Sequence, residues 1–353
     1  MVNVKRTGHR LKFLRSYYTS LYPSLLKYRW YIFLLLFLIF LIRFQYIDIV
    51  SPLKLPFVLI NAVYSRLSNL IHTQEEITTT PVPEVVINVK HRIIPYKLAL
   101  RADDRPFVEP DHAQDKLLKD LQLYETCKRD PSTIVVDVGA HLGDFGLYAA
   151  ACGCTVYMFE PRPHRVTLLR SSIQHNSFPT SRVHLFHKSV SDCPSNSTVN
   201  YPVGDIAPGV MDDNPIVVET IRLDDVAWSA STIFILKIDA EGSESKVIDS
   251  AKKLFAKKRI RHLIFNFYPW GTTEVSQSKL LPHLKDELKA KSIYCFYRGD
   301  NDMYGPLRLR DIKVFHKQHS NINIPISVFA TFDEQATQSS IQSKRYQSNK
   351  HVV

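Results

Sequence analysis

Two acidic strand ends and one glycine-rich turn carry the chemistry-bearing pattern of this chain. The turn is Asp137-Val-Gly-Ala-His-Leu-Gly143, which begins inside the apolar, β-branched run from Ile134 to Val138. A second apolar run from Thr155 stops at Glu160, and a third, from Ser231, stops at Asp239, with Lys237 just before it and Glu241 just after. Glycines in such a turn let backbone N–H groups approach a ligand, and a carboxylate about 20 residues further on can accept both hydroxyls of a ribose. The dinucleotide fingerprint G-x-G-x-x-G is absent, because Ala140, His141 and Leu142 separate Gly139 from Gly143. A pyrophosphate needs the tight double-glycine turn, whereas S-adenosylmethionine carries no phosphate. The pattern therefore favours S-adenosylmethionine over NAD.

Each residue then acquires an expected role. Asp137 and the turn at Gly139, Ala140, His141 and Gly143 face the methionine ammonium and carboxylate, and Glu160 holds the ribose. Ser189 and Val190 end a strand where the adenine would lie, with ordinary packing as the alternative. Methyl transfer is an in-line displacement at an activated sulfonium, so the protein mainly positions the acceptor and helps remove its proton. Asp239 is the expected base or acceptor anchor, with Glu241 assisting. Strand alternation puts Lys237 and Asp239 on one face, so Lys237 would set the charge of Asp239. Glu241 and Glu244 could instead complement a helix N-terminus, the preferred reading for Glu244. His141 reads as a loop histidine bordering the cofactor rather than a base. Asp239, Glu241 and Asn266 carry hard oxygen donors of the kind magnesium takes, but they form no clear ligand set, and no metal is expected. Cys152 and Cys154 lack zinc spacing and read as turn packing, and His184 and His187 fall on opposite strand faces.

The elements that must position these groups alternate. A helix over about 112–127 precedes the first strand. The helix from Phe145, the strand to Phe159, a helix over 163–178 and a strand over 182–190 follow, then a polar stretch, 193–218, that suits an inserted hairpin. After the strand at 231–239 come a helix to about Phe255, a strand over 262–268, a helix over 279–291 and closing strands over 292–297 and 324–332. Strands alternating with helices predict an α/β fold, a mostly parallel doubly wound sheet whose ligands gather at the carboxyl ends of the strands.

Over roughly 130–300 the chain resembles the FkbM-type family of S-adenosylmethionine-dependent methyltransferases. The resemblance rests on D-V-G-A-H-L-G at 137–143, F-E-P at 159–161, S-V-S-D at 189–192, L-D-D at 223–225 and L-K-I-D-A-E-G-S-E at 236–244, in the family's order. It implies a class I methyltransferase (Rossmann-like) fold and, as the usual chemistry, O-methylation. Asn266 departs from the acid the family commonly carries at that strand end, which leaves open an inactive cofactor-binding interaction module.

The net charge of +11 belongs mainly to the tail: Lys5, Arg6, Arg10, Lys12, Arg15, Lys27 and Arg29 precede the first hydrophobic block, and without them about +4 remains. That residue of charge, with no basic-aromatic interleaving, argues against nucleic acid. The apolar run Trp30 to Ile42 reaches about 20 Å at ~1.5 Å per residue, short of a ~30 Å bilayer core unless 44–50 extends it. It reads as a signal-anchor, with the N-terminus cytosolic and the rest lumenal, in the endoplasmic reticulum or Golgi. The expected organisation is a basic tail (1–29), a transmembrane helix (30–50), a stem (51–111), a methyltransferase domain (112–334) and a polar, frayed tail (335–353). Residues 52–70 lie on the membrane surface or pack on the domain. Asn196-Ser-Thr198 is a glycosylation sequon, and a disulfide among Cys127, Cys193 and Cys295 is open if the domain is lumenal. The expected acceptor is a hydroxyl, with a sugar or glycoconjugate fitting that address. A lipid or small molecule at the membrane is the alternative.

Overall fold

The computed structural model describes residues 85–101, 104, 112–201, 215–269, 274–297, 300–320, 325–333 and 341–347. The basic tail, the expected span at 30–50 and the segment 52–70 lie outside them. Among the described residues no helix is long and apolar enough to cross a membrane.

A hairpin of β1 (Val86–Lys90) and β2 (Tyr96–Leu100) comes first, then α1 (His112–Asp120) and α2 (Leu123–Arg129). The core alternates as β3 (Ile134–Val138), α3 (Asp144–Ala151), β4 (Thr155–Phe159), α4 (Pro163–His175) and β5 (Val183–Phe186). A small separate sheet follows, made of β6 (Ser189–Val190), β7 (Thr198–Tyr201) and β8 (Ile216–Ile221). Then come β9 (Ile233–Ile238), α5 (Glu244–Asp249), α6 (Lys252–Ala256) and β10 (Ile260–Phe267). The last elements are α7 (Glu274–Asp286), β11 (Ser292–Tyr297), β12 (Met303–Tyr304), α8 (Leu309–His319) and β13 (Ile326–Thr331).

The central sheet has the order β12-β11-β13-β10-β9-β3-β4-β5. From β5 to β10 all neighbours are parallel, while β13 runs antiparallel between β10 and β11, and β12 antiparallel at the edge. This is a class I methyltransferase-like α/β fold with a mostly parallel sheet. Both faces are covered, which is why the interior strands read as unbroken apolar runs. Ile134, Val136 and Val138 of β3 face one core with residues of α5 to α8, and Val135 faces the other with residues of α1 to α4. Strand order reverses beside β3: β4 and β5 lie to one side, and the chain returns at β9 on the other. The carboxyl ends of β4, β3 and β9 therefore flank a topological switch point, where ligands bind in open α/β sheets.

Several boundaries differ from the sequence expectation. Residues 86–100, assigned to the stem, form a hairpin packed on the domain, with Leu98, Ala99 and Leu100 in the core; the strand alternation there is short and was hidden beside proline-rich sequence. The helix over 112–127 is two helices, because Gln122 adopts a left-handed φ of 52° and redirects the chain. The strand over 182–190 breaks after Phe186, and Ser189 and Val190 pair with β8 in the small sheet. The expected inserted hairpin is present as β7 and β8. The helix expected at 279–291 runs earlier, as α7. Within the tail expected to fray, 341–347 folds back: Lys344 bonds Met303 and Gly305, and Tyr346 is buried against Phe315.

Candidate active site

The turn after β3 is stitched to both neighbours. The N–H groups of Gly139 and Ala140 both donate to the Phe159 carbonyl at the end of β4, at 2.9 and 3.0 Å. From the other side the Asp239 N–H donates to the Val138 carbonyl at 2.9 Å. Gly139 and Gly143 have φ of +70° and +84°, values open to glycine at little cost, so the turn needs them for conformation as well as for close approach.

Asp137 is fully buried and faces inward. Register pairs it with Lys237 across β3 and β9, and the Lys237 ammonium lies 3.0 Å from its Oδ1. The other oxygen accepts the Gly146 N–H of α3 at 3.0 Å, and Lys237 also donates to the Gly139 carbonyl at 3.2 Å. Burial opposes the charge on both partners. The Asp137 and Asp239 carboxylates more than offset it at Lys237, whose pKa is raised, and we take the pair as ionised. Asp137 is thus enclosed by Lys237 and Gly146, and Lys237 bonds Asp137 directly while the Asp239 carboxylate acts on it through charge.

Glu160 is also buried, 1 % exposed, at the carboxyl end of β4. Its Oε2 accepts the His141 N–H at 2.7 Å and its Oε1 the Arg162 N–H at 2.9 Å. A carboxylate offers about four lone-pair sites, so acceptor capacity remains for a ribose diol. Burial raises its pKa, and the two N–H donors oppose that shift. His141, at φ 53°, contributes its backbone to this arrangement. Glu241, expected to assist the base, is engaged elsewhere: the Arg162 guanidinium reaches it with contacts of 2.7 and 3.3 Å. Tyr201, at the end of β7, lies over that guanidinium at 5.4 Å. Val190 packs in the same core as Phe159, and Ser189 beside it is half-buried.

Asp239 emerges where β9 ends, and the Tyr268 hydroxyl donates to its Oδ1 at 2.9 Å. Asn266 does not join them, because its side chain accepts a bond from Ser327 of β13 at 2.9 Å. Glu244 is fully buried and receives the Ala240 and Gly242 N–H groups on one oxygen, at 3.2 and 3.0 Å, so it braces the loop after Asp239. Gln277 of α7 donates to the Gly242 carbonyl from the other side at 3.1 Å. Among the described residues no group of three His, Cys, Asp or Glu side chains is placed to hold a metal ion. Sequence reading missed Arg162, Tyr201, Gln277 and Tyr268. Only Tyr268 had a visible signal, since alternation along β10 sets it on the face of Asn266 at a strand end.

Residues 137–290 match the family model described as the methyltransferase FkbM domain. Over that span the chain is similar to FkbM methyltransferase domains. The matched span begins at Asp137 and takes in the turn, Glu160, Arg162, Asp239, Glu241 and Tyr268. Among curated proteins, no sequence relative matches the chain. Solved structures are similar at a distance. The N-terminal domain of human METTL16 is 11 % identical, with 64 % of this chain and 72 % of that one covered and a TM-score of 0.36. A precorrin-6y C5,15-methyltransferase from Geobacter metallireducens gives 10 % identity, 60 % and 86 % coverage and 0.32. An rRNA methylase from Streptococcus thermophilus gives 12 %, 61 % and 93 %, and 0.34.

The cysteines correct a further expectation. Cys127 pairs with Cys154, at a Cα–Cα distance of 4.7 Å, rather than with Cys193 or Cys295. Cys154 opens the turn into β4, next to the end of α2, which sequence spacing alone did not bring together. Cys152 and Cys295 are buried free thiols.

Proposed function

We propose that this methyltransferase uses S-adenosylmethionine to methylate a hydroxyl acceptor, with Asp239 as the base. The observation that carries the reading is the grouping of Glu160, the Gly139 turn and Asp239 at one switch point, on three adjacent parallel strands. The residues fit the cofactor: Glu160 keeps acceptor capacity for a ribose, and Gly139 itself presents no side chain. Bound there, S-adenosylmethionine supplies an electrophilic methyl on a sulfonium leaving group.

The chain's own contribution is placement and proton removal. Tyr268 occupies one oxygen of Asp239, which leaves Oδ2 to accept the hydroxyl proton as the acceptor oxygen attacks the methyl carbon. Asp137 and Lys237 hold the turn through Gly146 and Gly139. Calorimetric titration of S-adenosylmethionine into wild type and Glu160→Ala tests the reading. Weakened binding in the variant supports it, and no binding to folded wild type rejects it.

We further propose that the domain is lumenal, held by the apolar segment at 30–50, with a sugar or glycoconjugate acceptor. Two features support that address: a disulfide persists in oxidising compartments, and Asn196 of the sequon is exposed. A glycosidase-sensitive mobility shift that Asn196→Gln abolishes, in cells expressing the full chain, tests it. Thiol labelling of Cys127 and Cys154 without reductant would reject it.

A further inference from the structure

The loops leaving β4 and β9 meet above the end of β3. Because β3 lies between those strands, the ion pair of Arg162 with Glu241 crosses over the Gly139 turn instead of running beside it. The pair is two-pronged, with the guanidinium fork matching the carboxylate, the geometry that makes such contacts strong. Its inner end is buried, with Arg162 3 % exposed, and its outer end faces solvent, with Glu241 34 % exposed. Arg162 is bonded through its own N–H to Glu160, the expected ribose ligand, and is backed by the Tyr201 ring. Glu241 holds a left-handed φ of 51°, a conformation that costs a non-glycine residue about 1 kcal/mol or more and persists only where surroundings enforce it. Here Glu244 and Gln277 enforce it, Glu244 by accepting the Ala240 and Gly242 N–H groups and Gln277 by donating to the Gly242 carbonyl.

An adenosyl group that reaches from Glu160 toward Asp239 must cross the same ground as this pair. We propose that Arg162 and Glu241 form a strap over the cofactor cleft, positioning residues that retain the bound cofactor and open for product release. The proposal rests on the S-adenosylmethionine reading above. It gives Glu241 a role distinct from proton transfer: the strap acts on residence time and does not touch the transferred methyl.

The test is release of S-adenosylhomocysteine from full-length protein in detergent, followed by stopped-flow displacement. Wild type, Glu241→Gln, Arg162→Lys and the double variant are compared, and their melting temperatures are read without ligand. Each single change should speed release roughly 10-fold, because it removes a charge or the fork from a charge-assisted pair. Association should change far less, and the double variant should release no faster than the faster single one, since both lose the same interaction. Wild-type release rates in Glu241→Gln overturn the strap, as do effects that simply add in the double variant. A fall in unliganded melting temperature that accounts for the whole effect also overturns it, as a purely structural role. Should Arg162→Lys not fold, Glu241→Gln at its partly exposed site decides alone. If wild type binds no S-adenosylhomocysteine, the methyltransferase reading falls and the strap with it; binding with unchanged release removes only the strap.

Discussion

A β-carbon built on Gly139 would lie 2.0 Å from the carbonyl oxygen of Asp239. The turn proposed to receive the cofactor and the strand end that bears the proposed base are thus in backbone contact, with no space for a methyl group between them. Gly139→Ala must displace main chain on β9 and also adopt φ +70°, so we expect a loss of about 3 kcal/mol or more and no cofactor binding. Gly143→Ala is the milder comparison: it shares the left-handed strain, at φ +84°, but its β-carbon would meet side-chain atoms of Leu169 and Leu147 rather than backbone. Thermal melting with calorimetry checks the order, and a Gly139→Ala protein that binds like wild type would contradict it.

The Tyr268 bond to Asp239 separates two roles by kinetics. Asp239→Asn keeps the shape and removes the base, so methyl transfer from labelled S-adenosylmethionine should fall by about 10²- to 10⁴-fold, with cofactor affinity little changed. Tyr268→Phe keeps the base and frees its second oxygen, so the loss should be smaller, roughly 10-fold. Equal losses in the two variants would show that Asp239 serves as an anchor and not as a base.

The sheet was legible because interior parallel strands must be apolar throughout, and the runs at Ile134, Thr155 and Ser231 have no other explanation. The turn and Glu160 were legible because glycine and a strand-end acid are local signals. Arg162 was not, since its partner Glu241 is distant in sequence and meets it only through strand order. Lys237 was placed on the correct face, but alternation cannot say whether a side chain reaches along its own strand to Asp239 or across to Asp137. The Cys127–Cys154 link was hidden for the same reason: α2 and the start of β4 adjoin only after the sheet forms.

The N-terminal hairpin belongs to the domain's stability. Arg92, in its turn, bridges Asp144 at 2.7 Å and Asp115 at 3.1 Å and stacks on Tyr148, fastening the hairpin to the first residue of α3. Tyr96 adds a bond to the same Asp144 carboxylate at 2.5 Å. Arg92→Ala should cost about 2 kcal/mol, since it removes the nearer cation of a partly buried acid and leaves Asp144 to Tyr96 and Lys90, and should weaken cofactor binding through the start of α3. A chain cut at residue 102 loses Leu98 and Leu100 from the core as well and should melt far lower than one cut at residue 81. Equal melting temperatures for the two would show the hairpin to be dispensable.

Glu244 makes stability depend on pH with an unusual sign for a carboxyl group. Its complete burial pushes the pKa up to about 8, and the Gly242 N–H only partly opposes this, with Asp239 adding to the rise. In the unfolded chain a glutamate titrates near 4.3. The folded protein therefore holds a proton that the unfolded chain has released, so the stabilisation present below the unfolded value is lost as pH rises toward 8. The cost at pH 9 is on the order of 5 kcal/mol. The geometry agrees, since Glu244 Oε2 and Gln277 Oε1 are both buried acceptors with no donor among the described residues, and each side chain bonds the backbone of Gly242. Glu244→Gln keeps one oxygen for the Ala240 and Gly242 N–H groups and replaces the other with an amide that never ionises. It should therefore match wild type near pH 4.5 and exceed it increasingly up to pH 9 in thermal melting. Parallel curves for the two proteins would mean that Glu244 is charged in the folded state and that the loop after Asp239 tolerates a buried anion.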